Sequence, residues 1–383
     1  MSTPRLLPVR PPSERETLRE KPTPQHARIH LDGLVWRIRT LIGSRPGKTA
    51  LVLVVLLVLF GGGTAAMFLT GGLSWQSRPA PQQQSSSPPD TPLPPSSPPG
   101  LLRFIAIGDF GCGGRSEQEV AREVARLEPE IVITVGDNRY SSANTYDGAV
   151  GKHYCAFIAG ARKGSHCAGD EVAVNRFFPS TGNHDYSDGG GIDEYRDYFS
   201  LPGAGVPTSG ITGSELYYDH IHRHVHFFVL DSDPDYSPTS LDVQQVWLRS
   251  ALNASAATWK IVHFHHPPYS SGMQGDHARM QWPYAQWGAH VVISGHDHNY
   301  ERIVRDGILY LVCGMGGQEA YPLSRARVPG SQAAITDVYG ACLFEAAEDA
   351  ISVALVTADA AVRDYALYNR SAYPLVRGVV GGA

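Results

Sequence analysis

A chain of 383 residues, 42% hydrophobic and 18% charged, is long enough for one large folded domain plus extensions and too apolar to be disordered throughout. Its net charge of −5 is unevenly divided: residues 1–48 hold ten Lys/Arg against four Asp/Glu, the rest twenty-two against thirty-three. The basic segment lacks the aromatic–basic interleaving of a nucleic-acid surface, so no nucleic-acid binding is expected and its charge reads as an orientation signal beside a membrane.

Residues 1–48, rich in Pro, Arg and Glu without periodicity, read as a mostly disordered cytoplasmic tail. Within it, 30–42 could form a short amphipathic helix at the membrane surface. No charge lies between Lys48 and Arg78. Crossing a bilayer takes about 20 apolar residues, and residues 49–73 suffice as a transmembrane signal anchor. Arg37, Arg39, Arg45 and Lys48 just upstream keep the N-terminus cytoplasmic. The expected arrangement is a single-pass, membrane-anchored protein with its catalytic domain periplasmic or extracellular. A cleaved signal peptide is the rival, but Gly63-Thr64-Ala65-Ala66 matches a cleavage site only loosely. Residues 74–100, dominated by Pro, Ser and Gln, are a stiff spacer.

The folded domain is expected over 101–375, with 376–383 a short tail. Residues 104–107 form a buried strand that runs into Gly108-Asp109-Phe110-Gly111. Ser116 and Glu119 have the form of a capping box, and Val120, Val124 and Leu127 make the apolar stripe of a helix. The next buried strand, 131–135, ends in Gly136-Asp137-Asn138-Arg139-Tyr140. Strand, helix and strand make a right-handed βαβ unit. It brings both carboxylates to the carboxyl edge of a parallel sheet, where open α/β sheets bind ligands.

Residues 141–180 are a long irregular excursion containing Cys155 and Cys167, and 177–180 lead into Gly182-Asn183-His184-Asp185. A helix is expected near 193–199 and a hairpin over 216–230. Another helix spans 241–252, with Val243, Trp247 and Ala251 on one face. A strand over 260–264 ends in His265-His266-Pro267-Pro268. A helix over 278–287 precedes the apolar run 291–293, which leads to Gly295-His296-Asp297-His298. Short strands follow at 308–312, 341–344, 352–356 and 365–367.

Five strand ends thus carry ligand-type residues: Asp109; Asp137 with Tyr140; Asn183 with His184; His265; His296 with His298. Neutral imidazole is the commonest protein metal ligand. A set with only oxygen and nitrogen donors suits iron, manganese or zinc better than copper(I) or an iron–sulfur cluster. The donors are too many for one tetrahedral ion and suggest two. Two ions about 3.5–4 Å apart clamp an in-line displacement at phosphorus.

The set GDFG, GDNRY, GNHD, VHFH and GHDH resembles the five motifs of the purple acid phosphatases, within the calcineurin-like metallophosphoesterase superfamily, over residues 101–370. The resemblance implies an α/β fold of two packed β-sheets with helices on both outer faces, a four-layer α/β/β/α sandwich. It implies that Asp109, Tyr140 and His298 hold a first metal, usually Fe(III). Asn183, His265 and His296 would hold a second, a divalent Fe, Zn or Mn, and Asp137 would bridge the two. His184 would bind the ester or protonate the leaving alkoxide, a role suited to histidine. His277, in Gly275-Asp276-His277, takes about the place of another substrate histidine of the family. The implied activity is that of an acid phosphatase: hydroxide held by the metal pair attacks a phosphomonoester and inorganic phosphate is released. Arg139 departs from the apolar or aromatic residue often found before the tyrosine, which bears on pocket shape and not on the metal set.

Plainer roles compete with these. Asp109 and Asp137 could be turn formers after strands, and Tyr140 could pack under its loop. His263 lies on the same strand face as His265, but the spacing from Val262 and the following His-Pro favour His265 as the ligand, leaving His266 a neighbour. His220, His222, His224 and His226 resemble a metal ladder, yet read as one face of a hairpin without acidic partners nearby in sequence. Asp231 reads as structural, and Trp282, Tyr284 and Trp287 as core or pocket wall. The five cysteines match no Cys-x-x-Cys pattern, and outside a membrane disulfides are permitted. Cys155 and Cys167 are the best pair, expected to staple the long loop over the site. Cys313 and Cys342, on expected neighbouring strands, are paired or merely buried, and Cys112 is left over beside the metal loop. Two other functions share these residues. A phosphodiesterase or nucleotidase on the same scaffold has the same metal set. A metal-bearing surface domain without catalysis is opposed by the complete ligand set with His184.

Overall fold

Alternation along the first strand sets the layering, because successive side chains point to opposite faces of a sheet. In β1 (Leu102–Ile107), Leu102, Phe104 and Ala106 enter a core shared with a second sheet, while Ile105 and Ile107 join Val120 and Val124 of α1 (Arg115–Arg126) and Leu127 just after it. In β2 (Ile131–Val135), Ile131, Ile133 and Val135 likewise point inward and Val132 outward. Strands buried on both faces read as unbroken apolar runs, which is why they stand out in the sequence. The computed structural model describes residues 100–373 apart from 142–144, 162–163, 165, 168–171, 211 and 325. The tail at 1–48, the anchor at 49–73, all of the spacer but Gly100, and the tail 376–383 lie outside the described residues. Among the described residues no helix is long and apolar enough to cross a membrane.

The first sheet joins β1, β2 and β3 (Phe177–Ser180) in parallel, with β11 (Gly340–Ala346) antiparallel to β1 and followed outward by β12 (Ala350–Thr357) and β13 (Val362–Asn369). The second has seven strands. Its parallel centre is β5 (Val225–Val229), β6 (Trp259–His263), β7 (Val291–Ser294) and β9 (Ile308–Cys313). The edges are β4 (Tyr218–His222) on one side and β8 (Tyr300–Arg305) with β10 (Ser331–Ile335) on the other. Short helix α2 (Asn183–Ser187) follows β3. Tyr195 and Tyr198 of α3 (Gly191–Tyr198) share the outer core of the first sheet, and Leu248 and Leu252 of α4 (Leu241–Ala254) share that of the second. The expected four layers are present.

Several local expectations are corrected. Gly114, not Ser116, caps α1, without a side-chain cap; Ser116 Oγ donates to the Gly317 carbonyl, and Glu119 pairs with Arg115 at 2.6 Å. The buried face of α4 is Gln244, Leu248 and Leu252, one residue on from the expected stripe, and Val243 is 52% exposed. Only Ala278–Met280 of the expected 278–287 helix forms, as one 3-10 turn. Pro283 has no N–H and disfavours helical geometry at Trp282. Cys155–Cys167 and Cys313–Cys342 are disulfides. The first staples a loop whose Tyr146, Val150 and Tyr154 lie in the outer core of the first sheet. The second joins β9 to β11, strands of different sheets and not neighbours. His226 does have an acidic partner, Asp219 across the hairpin at 2.8 Å.

Candidate metal centre

Asp109, Asp137 and Asn183 follow the carboxyl ends of β1, β2 and β3; His265 and His296 follow those of β6 and β7. The parallel strands of both sheets therefore present their loops at one rim. Asp109, Asp137 and His296 turn inward from left-handed backbone, with φ of 56°, 51° and 69°. Gly136, before Asp137, has φ 86°, and a Cβ there would lie 2.5 Å from His265 Nδ1. The glycine is required twice over, by conformation and by the approach of the imidazole.

The donors fall into two groups that meet at one oxygen. Tyr140 OH lies 3.2 Å from Asp109 Oδ1, 2.9 Å from Asp137 Oδ2 and 3.3 Å from His298 Nε2, with His298 Nε2 3.4 Å from Asp109 Oδ1. In the second group His265 Nε2 lies 3.1 Å from Asn183 Oδ1, 3.1 Å from His296 Nδ1 and 3.4 Å from the same Asp137 Oδ2. All seven residues predicted as ligands are thus brought together, and Asp137 belongs to both groups. The other Asp137 oxygen accepts from the His184 backbone N–H at 2.9 Å.

The tautomers decide what this arrangement can hold. His265 Nδ1 is 2.8 Å from the Val135 carbonyl and His298 Nδ1 is 2.7 Å from the Glu319 carbonyl. A carbonyl only accepts, so both Nδ1 atoms carry protons and both Nε2 atoms turn lone pairs inward. His265 Nε2 therefore faces an amide oxygen and a carboxylate oxygen, both acceptors, with His296 Nδ1 beside them. Lone pairs crowded against lone pairs in a buried site call for a cation, and the donor chemistry fits a pair of them.

Electrostatics agree. Burial pushes Asp109 up to about 6, despite the opposing His298, and raises Asp137. Burial lowers His265 well below its ordinary range and His296 to about 4, so both stay neutral, as ligation requires. Burial alone would lower His298, but the adjacent Asp109 carboxylate outweighs this and raises it. Burial also raises Tyr140 well above the ordinary phenol value.

His184 stands beside this centre and not among its donors. Its ring lies 4.4 Å from that of Tyr140, and its Nδ1 is 3.0 Å from Asp188 Oδ2. Burial would raise Asp188, but the Ser141 N–H and His184 hold it below the usual carboxylate range. Sequence reasoning missed Asp188; the signal was its place four residues after His184, the spacing of facing side chains on a helix. His277 sits across the site, its ring 4.8 Å from His266 and its buried Nδ1 without a hydrogen-bond partner. His266, read as a neighbour, offers a nitrogen within 4.8 Å of those of His265 and His296 and is oriented by Ser232 Oγ at 3.0 Å. His263 is turned away onto the Thr134 carbonyl at 3.1 Å. Arg139 is buried and bound to Glu194 at 2.8 Å and to the Asp188 carbonyl at 2.5 Å, so it braces the loop of His184.

A calcineurin-like phosphoesterase family model matches residues 102–300. Purple acid phosphatase 23 of Arabidopsis thaliana is 28% identical over 250 residues, 56% of this chain and 52% of that protein. The chain spans about half the length of that curated relative. Among solved structures, the purple acid phosphatase PPD1 from yellow lupin (Lupinus luteus) seeds is similar with a TM-score of 0.53 at 15% identity, over 73% of this chain and 55% of that one. GAP50, the anchor in the inner membrane complex of Plasmodium, is similar with a TM-score of 0.53 at 19% identity, over 70% and 89%. At these identities the two structures bear on the fold alone.

Proposed function

Because the chain belongs to the calcineurin-like phosphoesterase family, we propose that it is a dinuclear metal phosphatase of the purple acid phosphatase type that hydrolyses phosphomonoesters. The observation that carries this reading is Asp137 Oδ2 shared between two groups of converging ligand-type side chains. Asp109, Tyr140 and His298 would hold one ion, Fe(III), and Asn183, His265 and His296 the other, a divalent Fe, Zn or Mn, with Asp137 between them. When bound, such a pair supplies Lewis acidity and makes water acidic enough to ionise near neutral pH.

The chain's own residues supply the rest. Asp188 binds His184 Nδ1 and orients the ring, which leaves Nε2 to face the ester and hand it a proton. As water adds to phosphorus and the P–O ester bond breaks, that proton passes to the departing alkoxide oxygen. The Tyr140 ring against His184 limits how far the imidazole can swing. His277, from the opposite wall, would bind a phosphate oxygen. The two disulfides support the expectation that the domain works in an oxidising compartment outside the cytoplasm.

The test is hydrolysis of p-nitrophenyl phosphate and of its bis ester by purified full-length protein, with elemental analysis and a visible spectrum. Faster turnover of the monoester, two metals per chain and a tyrosinate-to-iron(III) band support the reading. A preference for the bis ester would make the protein a diesterase, and no turnover with metals fully loaded would leave it a non-catalytic metal domain.

A further inference from the structure

Asp297 lies between two of the converging histidines, yet its carboxylate takes no part in their cluster. It is fully buried and surrounded by the loop that leaves β6. Ser270 Oγ donates to it at 2.5 Å, the Gln274 N–H at 2.8 Å and the Gly275 N–H at 3.0 Å. The chain winds so closely around it that a Cβ on Gly272 would collide with the Asp297 carboxyl group. Glu301, also fully buried, accepts from the Ser271 N–H and Oγ, each at 2.7 Å. Two residues past Gly275, the His277 N–H closes the loop on the Pro267 carbonyl at 2.8 Å.

A carboxyl group out of water is retained only where hydrogen bonds compensate it, and here the donors come from one segment, 270–275. The turn that carries His296 and His298 is therefore also the peg on which the His277 loop hangs. We infer that Asp297 is a positioning residue: it couples the turn bearing His296 and His298 to the loop bearing His277, so that loading the metal centre fixes where His277 stands. The role given to His277 rests on the phosphatase reading; the coupling itself does not.

Asp297→Asn tests this in the full-length protein. Asparagine keeps the volume, but its amide nitrogen cannot accept from Ser270 or Gly275. Partners that orient a site from outside typically change activity by about 10–100-fold. The expected result is a fall of that size in kcat/KM for p-nitrophenyl phosphate, two metals still bound, and faster amide exchange over 270–277. In the wild-type chain, chelation should speed exchange in the same segment. Ser270→Ala, which leaves the histidine turn intact, should move exchange and kcat/KM in the same direction by less, and it keeps the inference testable if Asp297→Asn does not fold. The inference is overturned if Asp297→Asn sheds metal as fully as His298→Ala, or if exchange over 270–277 responds to neither the variants nor chelation. If the wild-type protein hydrolyses no phosphoester, the phosphatase reading fails, while the exchange measurements still decide the coupling.

Discussion

Three of the side chains that meet at the rim, Asp109, Asp137 and His296, share a backbone conformation that costs a residue other than glycine about 1–2 kcal/mol. The surroundings hold them there: the Asp109 N–H donates to the Gly136 carbonyl at 3.1 Å and the His296 N–H to Asp109 Oδ2 at 3.0 Å. Strain concentrated where donors converge favours a built site over a chance cluster. Asp137→Ala should lose metal and activity together, because it removes the one oxygen common to both groups. His184→Ala should keep both metals while kcat falls about 10²–10⁴-fold. Elemental analysis beside steady-state kinetics separates the two, and equal metal loss in both variants would contradict this division of roles. Asp188→Asn should retain metal and lower kcat by about 10-fold or more, since it no longer holds the His184 ring through Nδ1 as the carboxylate does. The seven donors were legible because each follows an apolar strand and topology sends such ends to one edge. Asp188, His266 and Asp297 were not, because their importance lies in partners that only the folded loops provide.

At the scale of elements, Gln244 shows how a polar side chain can turn a helix. Its amide accepts from the Asp231 N–H at 2.9 Å and donates to the Asp231 carbonyl at 2.8 Å, so the buried stripe of α4 runs through Gln244, Leu248 and Leu252. Hydropathy alone favours the stripe through Val243, because it cannot register a hydrogen-bonded glutamine as a core residue. Gln244→Leu should lower unfolding stability by about 1–3 kcal/mol, measured by denaturant titration, since two buried backbone groups lose their partners. β8 was illegible for a related reason. It carries Glu301 and Arg302 among its buried residues, where Glu301 binds Ser271 and Arg302 pairs with Asp364 at 2.6 Å, and hydropathy has no sign for that. By contrast β1, β2 and α1 followed from pattern, because their apolar residues alternate or repeat as burial on one or both faces requires.

For the molecule as a whole, the contact between the sheets contains histidines that burial keeps neutral at ordinary pH. The His220 ring stacks 3.7 Å from Phe178 and 4.8 Å from Phe227, and neither of its nitrogens has a hydrogen-bond partner. Burial, reinforced by neighbouring His222, His263 and His226, lowers it well below its ordinary value, and burial brings His222 down to about 4. In the unfolded chain both titrate near 6.5, so above that pH they leave stability unaffected. As pH falls below about 6.5 the unfolded state takes up protons that the folded state refuses. Stability then drops by about 1.4 kcal/mol per pH unit for each histidine, down to about pH 4 for His222. The melting temperature should decline between pH 6.5 and 4, and His220→Phe should flatten that decline. An unchanged slope in the variant would clear His220 of the effect.

The link between Cys313 and Cys342 crosses the same divide as the metal centre, whose donors come partly from β1, β2 and β3 and partly from β6 and β7. An emptied protein would thus remain riveted at one point close to the rim, its two slabs unable to drift apart before ions return. Replacing both cysteines with alanine should consequently depress the melting temperature far more after chelation than in the loaded state, and slow the recapture of metal.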